Sequence, residues 1–211
     1  MGMESLYAAM ERCLLQEGRP SVGLEALARQ EAFGRFPFSL LLAEKVTEQS
    51  PEHHPEGNVW NHTMLVVDEA AGRKRYSADG RVFMWAALLH DIGKPPVTRK
   101  RRGKITAYDH DREGAALTRR FLLPLTRDED FVERVAWLVR YHMQLLYVVK
   151  NLPFQDLQGM RAHTVLSDVA LLGFCDRLGR AGADEEAERR DVLLFLEKCG
   201  ERGDLPWLRP E

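Results

Sequence analysis

Four stretches of this chain carry apolar residues every third or fourth position, and each stripe includes a histidine or an aspartate. Phe131, Val135, Leu138 and His142 fall at i, i+4, i+7 and i+11. Phe83, Ala87 and His90 fall at i, i+4 and i+7, and Asp91 follows. Val165, Val169, Leu172 and Asp176 step by four, three and four, and His62 stacks with Val66 and Glu69 beside Leu65. A period near 3.6 marks one face of a helix. Each of these ligand-type side chains is therefore expected on an inward face. No run of alternating β-branched residues argues for a sheet. The chain is expected to be all-α.

The helix boundaries follow from punctuation. Leu6, Met10, Cys13 and Leu14 share one stripe between Ser5 and Gln16, which Gly18-Arg19-Pro20 closes. Leu24 to Phe33 and Phe38 to Thr47 read as two further helices. Ser50 to Gly57 is a loop, and Asn58 is a plausible N-cap for a helix to about Tyr76. Gly93 and Pro95-Pro96 stop the helix that carries His90, because proline lacks an amide hydrogen and restricts its predecessor. Asp109 or Asp111 is expected to cap a helix from about His110 to Phe121, and Asp184 to open the last one. This divides the chain into an N-terminal helical lead (1–49), one globular domain (50–200) and a loosely held tail (201–211).

With 211 residues and 45% hydrophobic content the chain can bury a real core. A formal net charge of −2 gives no global pull toward nucleic acid or an anionic membrane. Cys13, Cys175 and Cys199 are odd in number and show no paired spacing, which fits reduced thiols in a cytoplasmic protein. No apolar run approaches the roughly 20 residues of a membrane span. One local exception to the balanced charge is the loop with Arg99, Lys100, Arg101, Arg102 and Lys104. It can meet phosphates, including those of RNA, or be a solvated loop tip.

His62, His90 with Asp91, His142 and Asp176 thus come from four apolar helix faces, and His110 from a helix start. Burying one such group without a partner costs about 1–3 kcal/mol. Several of them on neighbouring inward stripes make sense if they satisfy one another or a cation, and helical bundles do build metal sites between facing helices. Taken singly, each histidine can also be an ordinary hydrogen-bonded one, and Asp176 can pair with Arg177 or Arg180. His53 and His54 are read as loop surface residues, with the alternative that His54 shapes the mouth of the site, and His163 as a neighbour of a helix start.

The order His62, His90-Asp91, Asp176 resembles the HD-domain superfamily of metal-dependent phosphohydrolases, and His90-Asp91-Ile92-Gly93-Lys94-Pro95 is similar to its "HDIG" subgroup. The stretches Pro51 to Thr63 (PEHHPEGNVWNHT), Tyr108 to Ala115 (YDHDREGA) and Cys175 to Arg180 (CDRLGR) resemble the HD domain at the C-terminal end of bacterial CCA-adding tRNA nucleotidyltransferases. The resemblance spans roughly residues 50 to 180. It implies a helical bundle with a divalent metal (Mn, Fe, Ni, Co, Mg or Zn) between core helices, held by His62, His90, Asp91 and Asp176. It implies a second ion at His110 and His142, with Asp91 bridging. The strand-borne aspartate pair of a nucleotidyltransferase head has no counterpart here, so CCA addition is not expected and the chain resembles a stand-alone HD domain. The implied reaction is hydrolysis of a phosphomonoester or phosphodiester, on a nucleotide or cyclic phosphate, by metal-activated water. In this reading Asp91 and Lys94 are catalytic, and Lys94, Arg177 and Arg180 bind substrate phosphate. Two alternatives remain open at this point: a nucleotide- or RNA-binding module with a structural metal, and a di-iron oxygenase of HD type.

Overall fold

The computed structural model describes residues 2–201 and 205–208. Helix α1 (Met3–Gln16) turns at Gly18 into α2 (Pro20–Leu27), which has proline in its first turn, where no amide is needed. The second and third expected helices are shorter than the periodicity predicts: 3-10 turns at Glu31–Gly34 and Ala43–Val46 flank a single α turn, α3 (Ser39–Leu42). Helix α4 (Val59–Arg73) starts at Asn58, whose side chain accepts from Asn61 N at 2.9 Å. Asp79 accepts from the amides of Arg81 and Val82 and opens α5 (Gly80–Leu89).

Every residue of α5 from Val82 to Leu89 is buried. A helix apolar on all sides belongs at the centre of a bundle, and α5 is touched by α1, α4 and the later α8 and α11. After His90 the chain makes one short turn, α6 (Lys94–Val97). Pro95 and Pro96 occupy its first turn, so these prolines start a new helical turn as well as ending the old one.

The basic loop is a β-hairpin, contrary to the expectation of no sheet. β1 (Arg99–Arg101) pairs antiparallel with β2 (Lys104–Thr106). Arg102 and Gly103 both have positive φ, 50° and 77°, the condition for a two-residue turn that matches strand twist. These strands are polar and three residues long, which is why hydropathy alternation gave no sign of them.

Helices α7 (His110–Leu122) and α8 (Glu129–Tyr141) lie side by side. Neither expected aspartate caps α7 through its side chain: Asp109 sits at φ 59° with no cap bond, and Asp111 is drawn across to Arg140. Then come α9 (Gln144–Val149), α10 (Leu157–His163), α11 (Leu166–Leu178) and α12 (Glu185–Lys198), the last capped by Asp184 as expected.

The core is continuous from Leu6 to Trp207. The N-terminal helices share it, with Tyr7 stacked on Trp85 at 5.1 Å and Phe33, Phe38, Trp60 and Phe121 in edge contacts. Trp207 is 5% exposed and packs on Phe174, while residues 202–204 and 209–211 lie outside those described. The three cysteines are free and buried. Among the described residues no helix is long and apolar enough to cross a membrane.

Candidate metal centre

Helix ends, rather than helix middles, deliver the central side chains. His90 is the C-cap of α5, His142 the C-cap of α8, and His110 the first residue of α7. Each imidazole turns its Nδ1 to the main-chain carbonyl three residues back, at the C-terminal ends of α5 and α8 for His90 and His142 and in the loop before α7 for His110. His90 Nδ1 lies 2.9 Å from Ala87 O, His142 Nδ1 2.6 Å from Val139 O, and His110 Nδ1 2.8 Å from Ala107 O. A carbonyl can only accept, so Nδ1 carries the proton in all three rings. Nε2 is left as a bare lone pair.

Those lone pairs converge on acceptors. His110 and His142 Nε2 are 3.2 Å apart, and neither can donate to the other. They lie 3.5 and 3.9 Å from Asp91 Oδ1, while His90 Nε2 lies 3.3 Å from Asp91 Oδ2 and has no hydrogen-bond partner. His62 is held differently: its Nε2 is hydrogen-bonded to Asp176 Oδ1 at 2.9 Å and lies 3.9 Å from Asp91 Oδ2, while its buried Nδ1 stands 2.9 Å from Glu56 Oε1 without a hydrogen bond. The two oxygens of Asp91 thus face different histidine pairs. Six ligand-type groups, all buried, face one another across the ends of α5, α7, α8 and α11 and the first turns of α4.

The electrostatics agree. Burial, followed by the charges of His110 and His90, pushes His142 down to about 4, and burial lowers His110 as well. Burial alone would raise Asp91, yet the Lys94 ammonium and His90 hold it well below the usual carboxylate range. Asp176 is likewise held low, by Arg180 and His62 against its burial. Burial pulls His90 down as well, but the charge and hydrogen bond of Asp91 together with the charge of Asp176 outweigh it and raise its pKa. Neutral imidazoles and ionised carboxylates are the protonation states that ligate a divalent cation, and nitrogen and oxygen donors of this kind fit one. The cluster can hold a divalent metal, which supplies the positive charge that the geometry lacks. His90, Asp91, His62, His110 and His142 all fall into compact groups of ligand atoms, with Asp91 common to two of them.

Glycine makes the convergence possible. A Cβ on Gly93 would sit 2.1 Å from His110 O and 2.5 Å from Gly114 N, so only glycine lets the start of α7 lie against the turn after Asp91.

The chain belongs to the HD-domain family. The family profile matches residues 58–178. A CC-adding tRNA nucleotidyltransferase of Thermus thermophilus is 30% identical over 186 residues, covering 82% of this chain and 39% of that protein. An A-adding tRNA nucleotidyltransferase of Deinococcus radiodurans is 34% identical over 153 residues, 69% of this chain and 33% of that protein. A multifunctional CCA protein of Azoarcus sp. is 29% identical over 161 residues, covering 74% and 32%. The chain spans between a third and two fifths of the length of these relatives.

Above the metal centre the HD domain opens a cavity of about 350 Å³. Asp91, Lys94, His110, Asp176 and Arg180 line it, and Ile105, Thr106 and Ala107 bring the hairpin up as one wall. Lys94 Nζ is 2.6 Å from Asp91 Oδ2 and donates to Gln49 Oε1, also at 2.6 Å. Arg180 Nη2 is 3.8 Å from Asp176 Oδ1. Arg177, expected to bind substrate, does something else. Its guanidinium donates to Glu188 and Asp191 on α12, both at 2.6 Å, and it does not line the cavity.

Four residues near the centre were missed by the sequence reading or, for His54, placed mainly at the surface. His54 is not a surface residue: its side chain is 13% exposed, its ring packs edge-on against His62, and burial lowers its pKa to about 4. Glu56 stands between His54 and His62; despite burial, its contacts with these rings hold its carboxyl down at about 2. Glu44 is fully buried behind the site, where it accepts from Thr63 Oγ1 at 3.0 Å; burial and then the charge of Asp91 raise its carboxyl well above the usual range. Gln49 is the fourth. His163 is the last residue of α10, just ahead of the Val165 N-cap of α11, and stacks on Trp137 at 3.8 Å.

Proposed function

We propose that this HD domain is a metal-dependent phosphohydrolase acting on a phosphomonoester or phosphodiester, of nucleotide or cyclic-phosphate type. The observation that carries the reading is the two-sided placement of Asp91. Each of its oxygens faces its own pair of histidine Nε2 atoms, at the floor of a cavity that also holds two cationic side chains. In this reading His62, His90, Asp91 and Asp176 hold one divalent ion, and Asp91, His110 and His142 a second. Such an ion supplies Lewis acidity, lowering the pKa of a water toward neutrality and taking up charge on phosphoryl oxygens.

The protein's own groups do the rest. The three main-chain carbonyls fix His90, His110 and His142 in the ligating tautomer, so these rings need no reorganisation when charge develops. Asp91, kept ionised by Lys94, can accept a proton from an attacking water. Lys94 is held within reach of Asp91 and can shift toward a phosphoryl oxygen or a leaving group. Arg180 faces the same space and suits planar, bidentate binding of phosphate. The hairpin wall keeps bulk water from one side of the cavity.

Release of phosphate or opening of cyclic diesters across a substrate panel, with and without chelator, tests the reading. Chelator-sensitive turnover that Asp91→Ala abolishes together with bound metal is the expected result. An active Asp91→Ala protein, or turnover indifferent to metal, would sink it.

A second reading has an observation of its own. The hairpin that walls the cavity presents Arg99, Arg101, Arg102 and Lys104 outward, and the relatives above are named for acting on tRNA. Phosphates of an RNA strand would meet this arm while its end entered the cavity. Steeply salt-dependent RNA binding without turnover favours that module over the hydrolase.

A further inference from the structure

Gln49 belongs to no periodic stripe and to no helix, yet it is only 6% exposed and lines the cavity. Its backbone is pinned. Glu48 forms an isolated antiparallel bridge with Asn58, Val59 N donates to Thr47 O at 3.1 Å, and Glu48 also pairs with Lys100 of the hairpin at 2.9 Å. Its side chain is pinned too, because Oε1 accepts from Lys94 Nζ. An ammonium has no acceptor capacity, so this contact fixes which end of the carboxamide is oxygen. The other end, Nε2, is a buried two-hydrogen donor with no partner. Across the same cavity Arg180 Nε is likewise a buried donor without one.

Buried donors are rarely left unpaired without reason. Here two of them, together with the Lys94 ammonium, face one cavity whose floor is the metal centre. Their common complement is an acceptor-rich anion that has no hydrogens to offer. A phosphoryl group with several equivalent oxygens answers that description, and the neutral amide adds a directed hydrogen bond without adding a third charge.

We propose that Gln49 is a substrate-recognition residue, whose Nε2 donates to a non-bridging phosphoryl oxygen in an anion subsite shared with Lys94 and Arg180. The proposal rests on the phosphohydrolase reading. It differs from a purely structural role, in which Gln49 exists only to hold Lys94 through Oε1.

Gln49→Glu separates the two, because it keeps an oxygen for Lys94 and turns the donor into an anion. Gln49→Met removes both ends without adding charge. Inorganic phosphate is titrated calorimetrically into the Mn-loaded protein, with metal content and unfolding temperature measured on the same samples. The expected result is phosphate affinity lowered by about tenfold or more in Gln49→Glu, which corresponds to about 1.4 kcal/mol. The loss in Gln49→Met goes in the same direction, and metal content is kept in both. KM for any hydrolysed phosphoester rises more than kcat falls. Unchanged phosphate affinity in Gln49→Glu, beside a wild type that hydrolyses phosphoesters, overturns the role of Gln49 and leaves the hydrolase standing. A wild type that neither binds phosphate nor hydrolyses esters overturns both. Phosphate binding weakened by Gln49→Glu in a protein without turnover supports the subsite and removes the hydrolase.

Discussion

Gly93→Ala is the substitution whose cost can be read most directly from the structure. The φ of Gly93 is −80°, so alanine is not excluded by backbone conformation. What excludes it is space. The added methyl would stand 2.1 Å from His110 O, 2.5 Å from Gly114 N and 2.9 Å from Gly114 Cα. All three are main-chain atoms, and none can swing away as a side chain can. Relief requires the first turn of α7 to retreat by an ångström or so, and Gly114 is itself backed by Val139 Cγ1 at 3.1 Å from its own Cβ position. Overpacking of this kind costs about 1–3 kcal/mol or more. In a chain of this length that corresponds to a fall in Tm of about 3–10 °C. The retreat also carries His110 away from Asp91, so binding of a divalent ion should weaken more than the stability loss alone implies. Thermal unfolding followed by circular dichroism, with and without Mn, measures both. Gly72→Ala is the control. Gly72 is exposed in α4 with nothing near its Cβ position, and alanine there should stabilise by about 0.5–1 kcal/mol. An unchanged Tm and unchanged metal binding in Gly93→Ala would refute the claim that close backbone approach sets this position.

Three other outcomes are expected. Arg177→Ala strands two α12 carboxylates and should lower stability by about 1–3 kcal/mol in urea unfolding with KM unchanged, whereas Arg180→Ala should raise KM and leave stability nearly intact. Glu44 has a folded pKa raised above its ordinary 4.5, so its contribution to stability is full below that pH and is lost as pH rises through the folded value. Glu44→Gln removes that loss and should raise the unfolding free energy from urea titration at neutral pH by about 1 kcal/mol, with no gain in acid. Added Mn should stabilise the folded chain by about 2.7 kcal/mol at a hundredfold excess over its Kd. That gain should begin to fade while pH is still above the ordinary imidazole value of 6.5, because the raised pKa of His90 makes protons compete with the cation there first; titration of Tm against pH measures it.

The centre was legible in the sequence where it stands on regular helices. His90, His142 and Asp176 end stripes whose other members are core residues, so burial of the stripe carries the ligand inward with it. The hexapeptide from His90 to Pro95 announced a break, though not that its glycine admits a neighbouring helix. Glu44, Gln49, His54 and Glu56 were not legible because they ride on 3-10 turns and loop, where no period exists. Their partners Thr63, Lys94 and His62 stand up to 45 residues away in the chain. The arginines of the CDRLGR segment show a different limit. Arg177 and Arg180 lie three positions apart, and which of them meets α12 and which meets the cavity depends on how two helices pack. The hairpin was hidden because its strands pair backbone groups and bury almost nothing.

The three histidines at helix ends have a consequence for how this centre can change over time. Their orienting partners are carbonyls of the main chain, and no point substitution can delete a carbonyl or alter its basicity. The donor strength of His90, His110 and His142 is therefore beyond the reach of ordinary single-residue variation, which can remove these ligands but not retune them. His62 is different: the groups 2.9 Å from its two ring nitrogens, Glu56 and Asp176, are both side chains, which single substitutions can replace. Any gradual adjustment of metal preference in such a scaffold has an open route at that one corner, while the other three are held by the fold itself.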